Sequence, residues 1–197
     1  MGKDLAERFP AARHLLQEID DALGVPLSRL MFAGPEGDLT ATHNAQPAIL
    51  AHSVTVHALV APAMRAAPAV AAAGHSLGEY SAYVTAGALG AAPAARLRLE
   101  LEQAPFREPA FPVIANATAE PVTDAARARR LLGEQLTAPV RWTACMEQAA
   151  ELAGADARFI EIGPGNVLAG LLKRIVPGAT VVSLGTADEV ERFLEAA

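Results

Sequence analysis

Ala73-Gly74-His75-Ser76-Leu77-Gly78-Glu79-Tyr80 is the stretch on which the fold is read. An alanine- and valine-rich run, Ala66 to Ala73, precedes it, and Tyr80-Ser81-Ala82-Tyr83-Val84-Thr85-Ala86-Gly87-Ala88-Leu89 follows with a helical pattern. Gly-x-Ser-x-Gly between a strand and a helix is a nucleophile elbow: the turn is so tight that glycines stand where a Cβ would clash, and the serine hydroxyl is pushed out of the sheet. Ser76 then sits at a helix N-terminus, where the backbone N–H of Leu77 can face a developing oxyanion and the helix dipole favours negative charge. The alternative at this point is an ordinary strand-to-helix turn, since small residues are common and the pattern is short.

Upstream of the elbow the chain reads as helical. Leu5, Phe9, Leu15, Leu16, Ile19 and Leu23 recur at roughly helical spacing, with a break or first turn at Pro10 and an end at Gly24-Val25-Pro26. Leu27 to Phe32 is a short helical or turn segment, and Gly34 to Asp38 is a surface loop. Thr42 or Asn44 is expected to cap a helix running through Ala48-Ile49-Leu50 to Ala61, with Pro47 in its first turn. His52 and His57 lie in that helix as half-buried or surface residues, away from metal-ligand spacing.

Downstream, helices are expected over Ala91 to Gln103, Ala125 to Gln135 with Asp124 as N-cap, Trp142 to Ala153, Val167 to Val176 and Ala187 to Leu194. Trp142, Met146 and Ala149 form the core face of the second of these after Pro105. Strands are expected at Phe111 to Asn116, Arg158 to Ile162 and Thr180 to Leu184. Strands alternating with helices predict an α/β fold with an open, mainly parallel sheet covered by helices on both faces.

Composition narrows the function classes. The 197 residues suffice for one domain with a real core, and at 52% hydrophobic but 5% aromatic that core is alanine, leucine and valine. A net charge of −6 argues against a nucleic-acid or anionic-membrane partner. One cysteine, Cys145, excludes an internal disulfide and a cysteine-rich metal site and fits a cytoplasmic protein. No apolar run approaches the roughly 20 residues of a membrane span, and a signal-peptide pattern is absent.

An elbow serine needs a base, usually histidine, to take its proton. The five histidines are His14, His43, His52, His57 and His75, so none follows Ser76. Hydrolases of the elbow type run in the order serine, acid, histidine, which disfavours a serine thioesterase or esterase. His75 adjoins the serine and reads as a residue shaping the turn. Gly163-Pro164-Gly165 reads either as a backbone turn lining the mouth of the site at the strand ends or as a plain connection. Gln46, Asn116 and Gln135, at predicted element ends, read on their own as caps or surface groups.

Several motifs in order resemble the malonyl-CoA:acyl-carrier-protein transacylases and the acyltransferase domains of polyketide synthases. They are Met1-Gly2-Lys3-Asp4-Leu5, Asn44-Ala45-Gln46-Pro47-Ala48-Ile49-Leu50, the elbow from Gly74 to Ala82, Pro139-Val140-Arg141-Trp142, and Glu161-Ile162-Gly163-Pro164-Gly165-Asn166-Val167-Leu168. The resemblance implies ping-pong acyl transfer: a serine takes malonyl from coenzyme A and passes it to the phosphopantetheine thiol of an acyl carrier protein. It implies no cofactor beyond the thioester substrate and no metal. Carried over by residue, Ser76 matches the nucleophile, Leu77 the oxyanion-hole backbone donor, and His75 its neighbour in the elbow. Gln135 matches the residue whose backbone carbonyl orients the family's histidine, and Gln46 a glutamine near the acyl pocket. Gly163, Gly165 and Asn166 fall in the turn assigned to substrate binding.

The resemblance also implies departures. The family opens with a Phe-Pro-Gly-Gln-Gly-Ser type loop supplying a second oxyanion donor, and this sequence begins after the matching point. The family's carboxylate-binding arginine lies at an offset that here is Leu101, with Arg96 and Arg98 nearby. Its small ferredoxin-like subdomain, which carries the base, has no room near 97–105. The expected organisation is thus one acyltransferase-type domain over 1–197 without that subdomain, monomeric, cytoplasmic, and bound by neither nucleic acid nor membrane. Its activity is in question, and a non-catalytic carrier-binding or scaffold module is the alternative. Arg127, Arg129, Arg130, Lys173 and Arg174 are candidates to meet an acidic carrier protein, with solvated surface as the default.

Overall fold

Proline and glycine punctuation divides the N-terminal residues into helices. In the computed structural model, which describes residues 1–95 and 104–196, α1 spans Lys3–Arg8 and α2 spans Pro10–Leu23. Pro10 opens α2 at the position where a missing N–H costs nothing, and Gly24 closes it in the left-handed conformation, φ 69°, its N–H bonded to Asp20 O. Ala12, Leu16 and Ile19 bury one face of α2. Asp20, also buried, accepts hydrogen bonds from Ser28 N and Ser28 Oγ at the start of α3, Leu27–Ala33.

Two expectations fail in the next stretch. The expected surface loop contains a helix, α4, over Glu36–Thr40. The following helix, α5, starts at Thr42 and ends at Val60, so Pro47 stands inside it rather than in its first turn. Neither Thr42 nor Asn44 caps it; Asn44 Nδ2 instead donates to Asp38 O at 2.9 Å. His52 is buried on α5, with Nε2 2.9 Å from Gly185 O, so it is a core residue with a backbone partner.

The described residues divide into two compact units interleaved along the chain. The first takes those within Met1–Pro68, Ile162–Gly165 and Ser183–Ala197; the second takes those within Ala69–Glu161 and Asn166–Val182. In the first, α11, Ala187–Ala196, packs on α1 and α5. Ala187 N donates to Asp4 Oδ2 at 2.8 Å, and Arg8 forms exposed ion pairs with Asp188 and Glu191.

In the second unit β1, Ala72–Ala73, pairs in parallel with β2, Val113–Ile114, and β2 pairs antiparallel with β3, Pro121–Val122. The register sets Ala72 against Val113 and Ala73 against Ile114. Both helices flanking this sheet, α6 at Gly78–Thr85 and α9 at Trp142–Ala153, pack on β1 and β2. Helix α7 is Ala91–Ala95; the rest of the helix expected to reach Gln103, with Arg96, Arg98 and Leu101, lies outside the described residues. Helix α8, Ala125–Gln135, has the expected cap, Asp124 Oδ1 accepting from Arg127 N at 2.6 Å. Strands β4, Arg158–Ile162, and β5, Thr180–Leu184, form a second sheet, joined through α10, Val167–Ile175. Ile114, Trp142, Cys145, Met146, Ala149 and Leu172 make a buried cluster, which places the predicted core face of α9 inward. The architecture is α/β, as the alternation predicts.

Candidate functional site

Strand β1 runs into the turn Gly74–Leu77 and out into α6. A Cβ on Gly74 would lie 1.9 Å from Gly78 O and 2.5 Å from Glu79 N, so this position admits glycine alone. Gly78 differs from the expectation, because a Cβ there would meet nothing within 4 Å. Its carbonyl is what makes Gly74 obligatory. Three N–H groups close the turn, Gly78 N on His75 O, Glu79 N on Ser76 O and Tyr80 N on Leu77 O, at 2.9 to 3.0 Å.

Ser76 has φ 52°, a left-handed conformation that costs a non-glycine residue about 1–3 kcal/mol and marks an imposed geometry. Its side chain is exposed, and among the described residues neither Ser76 Oγ nor the N–H of Leu77 meets a hydrogen-bond partner. An exposed serine hydroxyl and an open backbone N–H therefore stand side by side just before α6. His75 is exposed and sets its ring edge-on to Trp142, centroids 5.4 Å apart, so it is held against α9. It is the one histidine in the second unit.

Behind the turn lies Asn116, just past β2. Read from sequence as a cap or surface group, it is instead fully buried. Asn116 Oδ1 accepts from Ser76 N at 2.7 Å, and Nδ2 donates to Gly74 O at 2.8 Å. Its own N–H donates to Glu79 Oε2 at 3.0 Å, and its carbonyl accepts from Arg141 N at 3.0 Å. Sequence reasoning missed this residue and Glu79; the signal for Glu79 was its place directly after the elbow glycine.

Glu79 is fully buried, with Oε1 lacking a partner. Burial pushes its carboxyl up to about 7, against which the Asn116 N–H pulls down. Burial, helped by the nearby Glu79, pushes the Cys145 thiol up to about 11, and its Sγ donates weakly to Ala115 O. Cys145 is thus a neutral core thiol.

Gln135 is buried at the C-terminal end of α8. Leu136 N turns back to Gly133 O, and Thr137 N and Ala138 N to Glu134 O, so among the described residues no backbone N–H takes Gln135 O. Gln46 is exposed on α5 in the first unit. Gly163, φ 148°, is buried there against the backbone at Gly185, whose own Cβ would lie 2.4 Å from Gly163 O. Gly165 and Asn166 are exposed, and Asn166 precedes α10 without a side-chain cap bond. The structure thus brings His75, Ser76 and Leu77 together in one turn of the second unit, which also holds Gln135 and Asn166; Gln46, Gly163 and Gly165 belong to the first. Arg127 pairs with Glu120 and Arg130 with Glu134, while the Arg129 guanidinium lies over the Phe106 ring. Among the described residues no group of three or more His, Cys, Asp or Glu could hold a metal ion.

Fold and turn together define an α/β protein built around a serine strand–turn–helix. The model of the acyl transferase domain family matches residues 1–100, and the chain belongs to that family. It is 26% identical to the malonyl CoA-acyl carrier protein transacylase of Bacillus subtilis, over 99% of this chain and 92% of that protein. That match spans 300 aligned positions against 197 residues, so at least 103 of those positions have no residue of this chain. Among solved structures, an acyl carrier protein S-malonyltransferase from Vibrio cholerae superposes with a TM-score of 0.89 at 25% identity, covering 98% of this chain and 94% of that one. A malonyl-transacylase in complex with a holo type II PKS acyl-carrier protein gives a TM-score of 0.91 at 26% identity, covering 100% and 95%.

Proposed function

We propose that this protein is an acyltransferase that moves a malonyl or related acyl group from coenzyme A, through an ester on Ser76, to the phosphopantetheine thiol of an acyl carrier protein. The observation that carries the reading is Ser76 itself: a non-glycine residue held at φ 52° beside an open Leu77 N–H, in a chain of the acyl transferase domain family. Ser76 is the nucleophile of an elbow. Its oxygen attacks the thioester carbonyl as its proton passes to solvent, and the developing oxyanion lies toward Leu77 N–H. The C–S bond then breaks as coenzyme A leaves as a thiolate that is reprotonated from solvent. The carrier thiol then attacks the Ser76 ester by the reverse chemistry and takes the acyl group.

The remaining assignments rest on the resemblance. Gln135, whose carbonyl takes no backbone N–H among the described residues, is the residue that orients a histidine, and His75 shapes the turn. Gln46, Gly163, Gly165 and Asn166 contact substrate. No cofactor or metal takes part. Residues 1–197 form one acyltransferase-type domain with the small subdomain missing near 97–105, a reading supported by the unmatched aligned positions. The protein works as a cytoplasmic monomer without nucleic-acid or anionic-membrane partners, a reading supported by its net charge of −6.

A second reading, a carrier-protein-binding module without turnover, is favoured by one observation: no histidine follows Ser76, and losing the base of such a site removes several orders of magnitude in rate. The test is transfer to a holo acyl carrier protein from malonyl-CoA, followed by the carrier's intact mass. The first reading predicts a malonylated carrier with the native chain and none with Ser76→Ala. Carrier binding without any transfer supports the second.

A further inference from the structure

We infer that Asn116 is the positioning residue for Ser76, its carboxamide clamping both limbs of the turn so that the serine hydroxyl is presented for acylation. The inference rests on the acyl-transfer reading of Ser76. Both ends of the amide are used. Oδ1 accepts from Ser76 N at 2.7 Å and Nδ2 donates to Gly74 O at 2.8 Å, so one planar group spans the turn across His75. A residue at φ 52° returns to a relaxed conformation unless its surroundings over-determine it, and Asn116 supplies that determination.

Asn116 is itself fixed. It is fully buried and follows β2, its N–H is held by Glu79 on α6, and its carbonyl by Arg141 N at the start of α9. The turn is thereby tied to the sheet, to the helix it opens, and to the helix that packs on β1. Only a side chain with a donor and an acceptor on one short planar group can serve. Leucine of similar size would leave Ser76 N–H and Gly74 C=O unmet, and aspartate offers acceptors alone until it is protonated.

That difference separates positioning from general structural support. The experiment compares native protein, Asn116→Leu and Asn116→Asp with two probes, malonyl-CoA and a fluorophosphonate. The second forms an Oγ–P bond at an activated serine as the P–F bond breaks and fluoride leaves with the proton. Circular dichroism melts report folding; Asn116→Asp, nearly isosteric, carries the test where Asn116→Leu does not fold. At pH 8 both variants should modify Ser76 about 10-fold or more slowly than native protein. As pH falls, Asn116→Asp alone should recover toward the native rate, because its protonated carboxyl again donates to Gly74 O. The titratable and charged groups around this position are Glu79 from α6, which holds the Asn116 N–H, Cys145 from α9, which bonds Ala115 O, Arg141 at the start of α9, whose N–H bonds the Asn116 carbonyl, and His75 in the clamped turn itself. All are present in every variant, so rate ratios to native protein isolate the substitution.

Folded Asn116→Leu reacting at the native rate, or a ratio for Asn116→Asp that stays flat with pH, overturns the inference. If malonyl-CoA leaves native Ser76 unmodified while the fluorophosphonate labels it, the acyl-CoA reading fails and the fluorophosphonate rates still decide the inference. Native Ser76 inert to both probes overturns both.

Discussion

An added Cβ at Gly74 would lie 1.9 Å from Gly78 O, while Gly78 itself has open space around it, so two glycines of one motif stand for different physical reasons. One is excluded by backbone crowding, and the other supplies the carbonyl that does the crowding. The motif made the turn legible from sequence because its residues are neighbours along the chain. Asn116 was illegible because its partners, Gly74, Ser76 and Glu79, lie 37 to 42 positions away. Glu79 belongs to this scale too. Its carboxyl, raised from the ordinary 4.5 to about 7, binds its proton more tightly in the folded than in the unfolded chain. Its contribution to stability is therefore full below about pH 4.5 and declines as pH rises to about 7, by ~3 kcal/mol in all. Glu79→Gln should abolish that decline, so denaturant unfolding of the two proteins should diverge across this window in favour of the variant. Parallel stability profiles would contradict the buried, proton-holding Glu79.

Helices with strong end signals were legible, and short elements governed by pairing were not. Pro10 and Gly24 bracket α2, and Asp124 caps α8 through its bond to Arg127 N. Replacing Asp124 with alanine should cost about 1 kcal/mol, the usual worth of such a cap, read as a lower urea midpoint at unchanged slope. A midpoint that does not move would mean that the cap contributes nothing. Of the apolar run Ala66 to Ala73 before the elbow, only Ala72–Ala73 pair as a strand. Its partner β2 is itself two residues long, and Pro112 just before it, although it accepts from Ala72 N, has no N–H to extend the ladder. The five residues of α4 are too few to show helical periodicity, so Gly34 and Pro35 read as a loop. Pro47 misled in the same way, since the start of α5 has no side-chain cap to mark it.

For the molecule as a whole, motif order conveyed the family, which residues 1–100 match, and the α/β class. The interleaving of the two units was not legible: the chain leaves the first after Pro68 and rejoins it at Ile162–Gly165 and again from Ser183, and such contacts leave no local pattern. The missing histidine was legible by simple counting, and it bears on the central claim that Ser76 accepts an acyl group. The most direct measurement is intact mass after incubation with malonyl-CoA, with peptide mapping of the product. The account predicts a shift of one malonyl group, mapped to Ser76 and absent from Ser76→Ala; an unshifted native mass, or an adduct that survives Ser76→Ala, would contradict it.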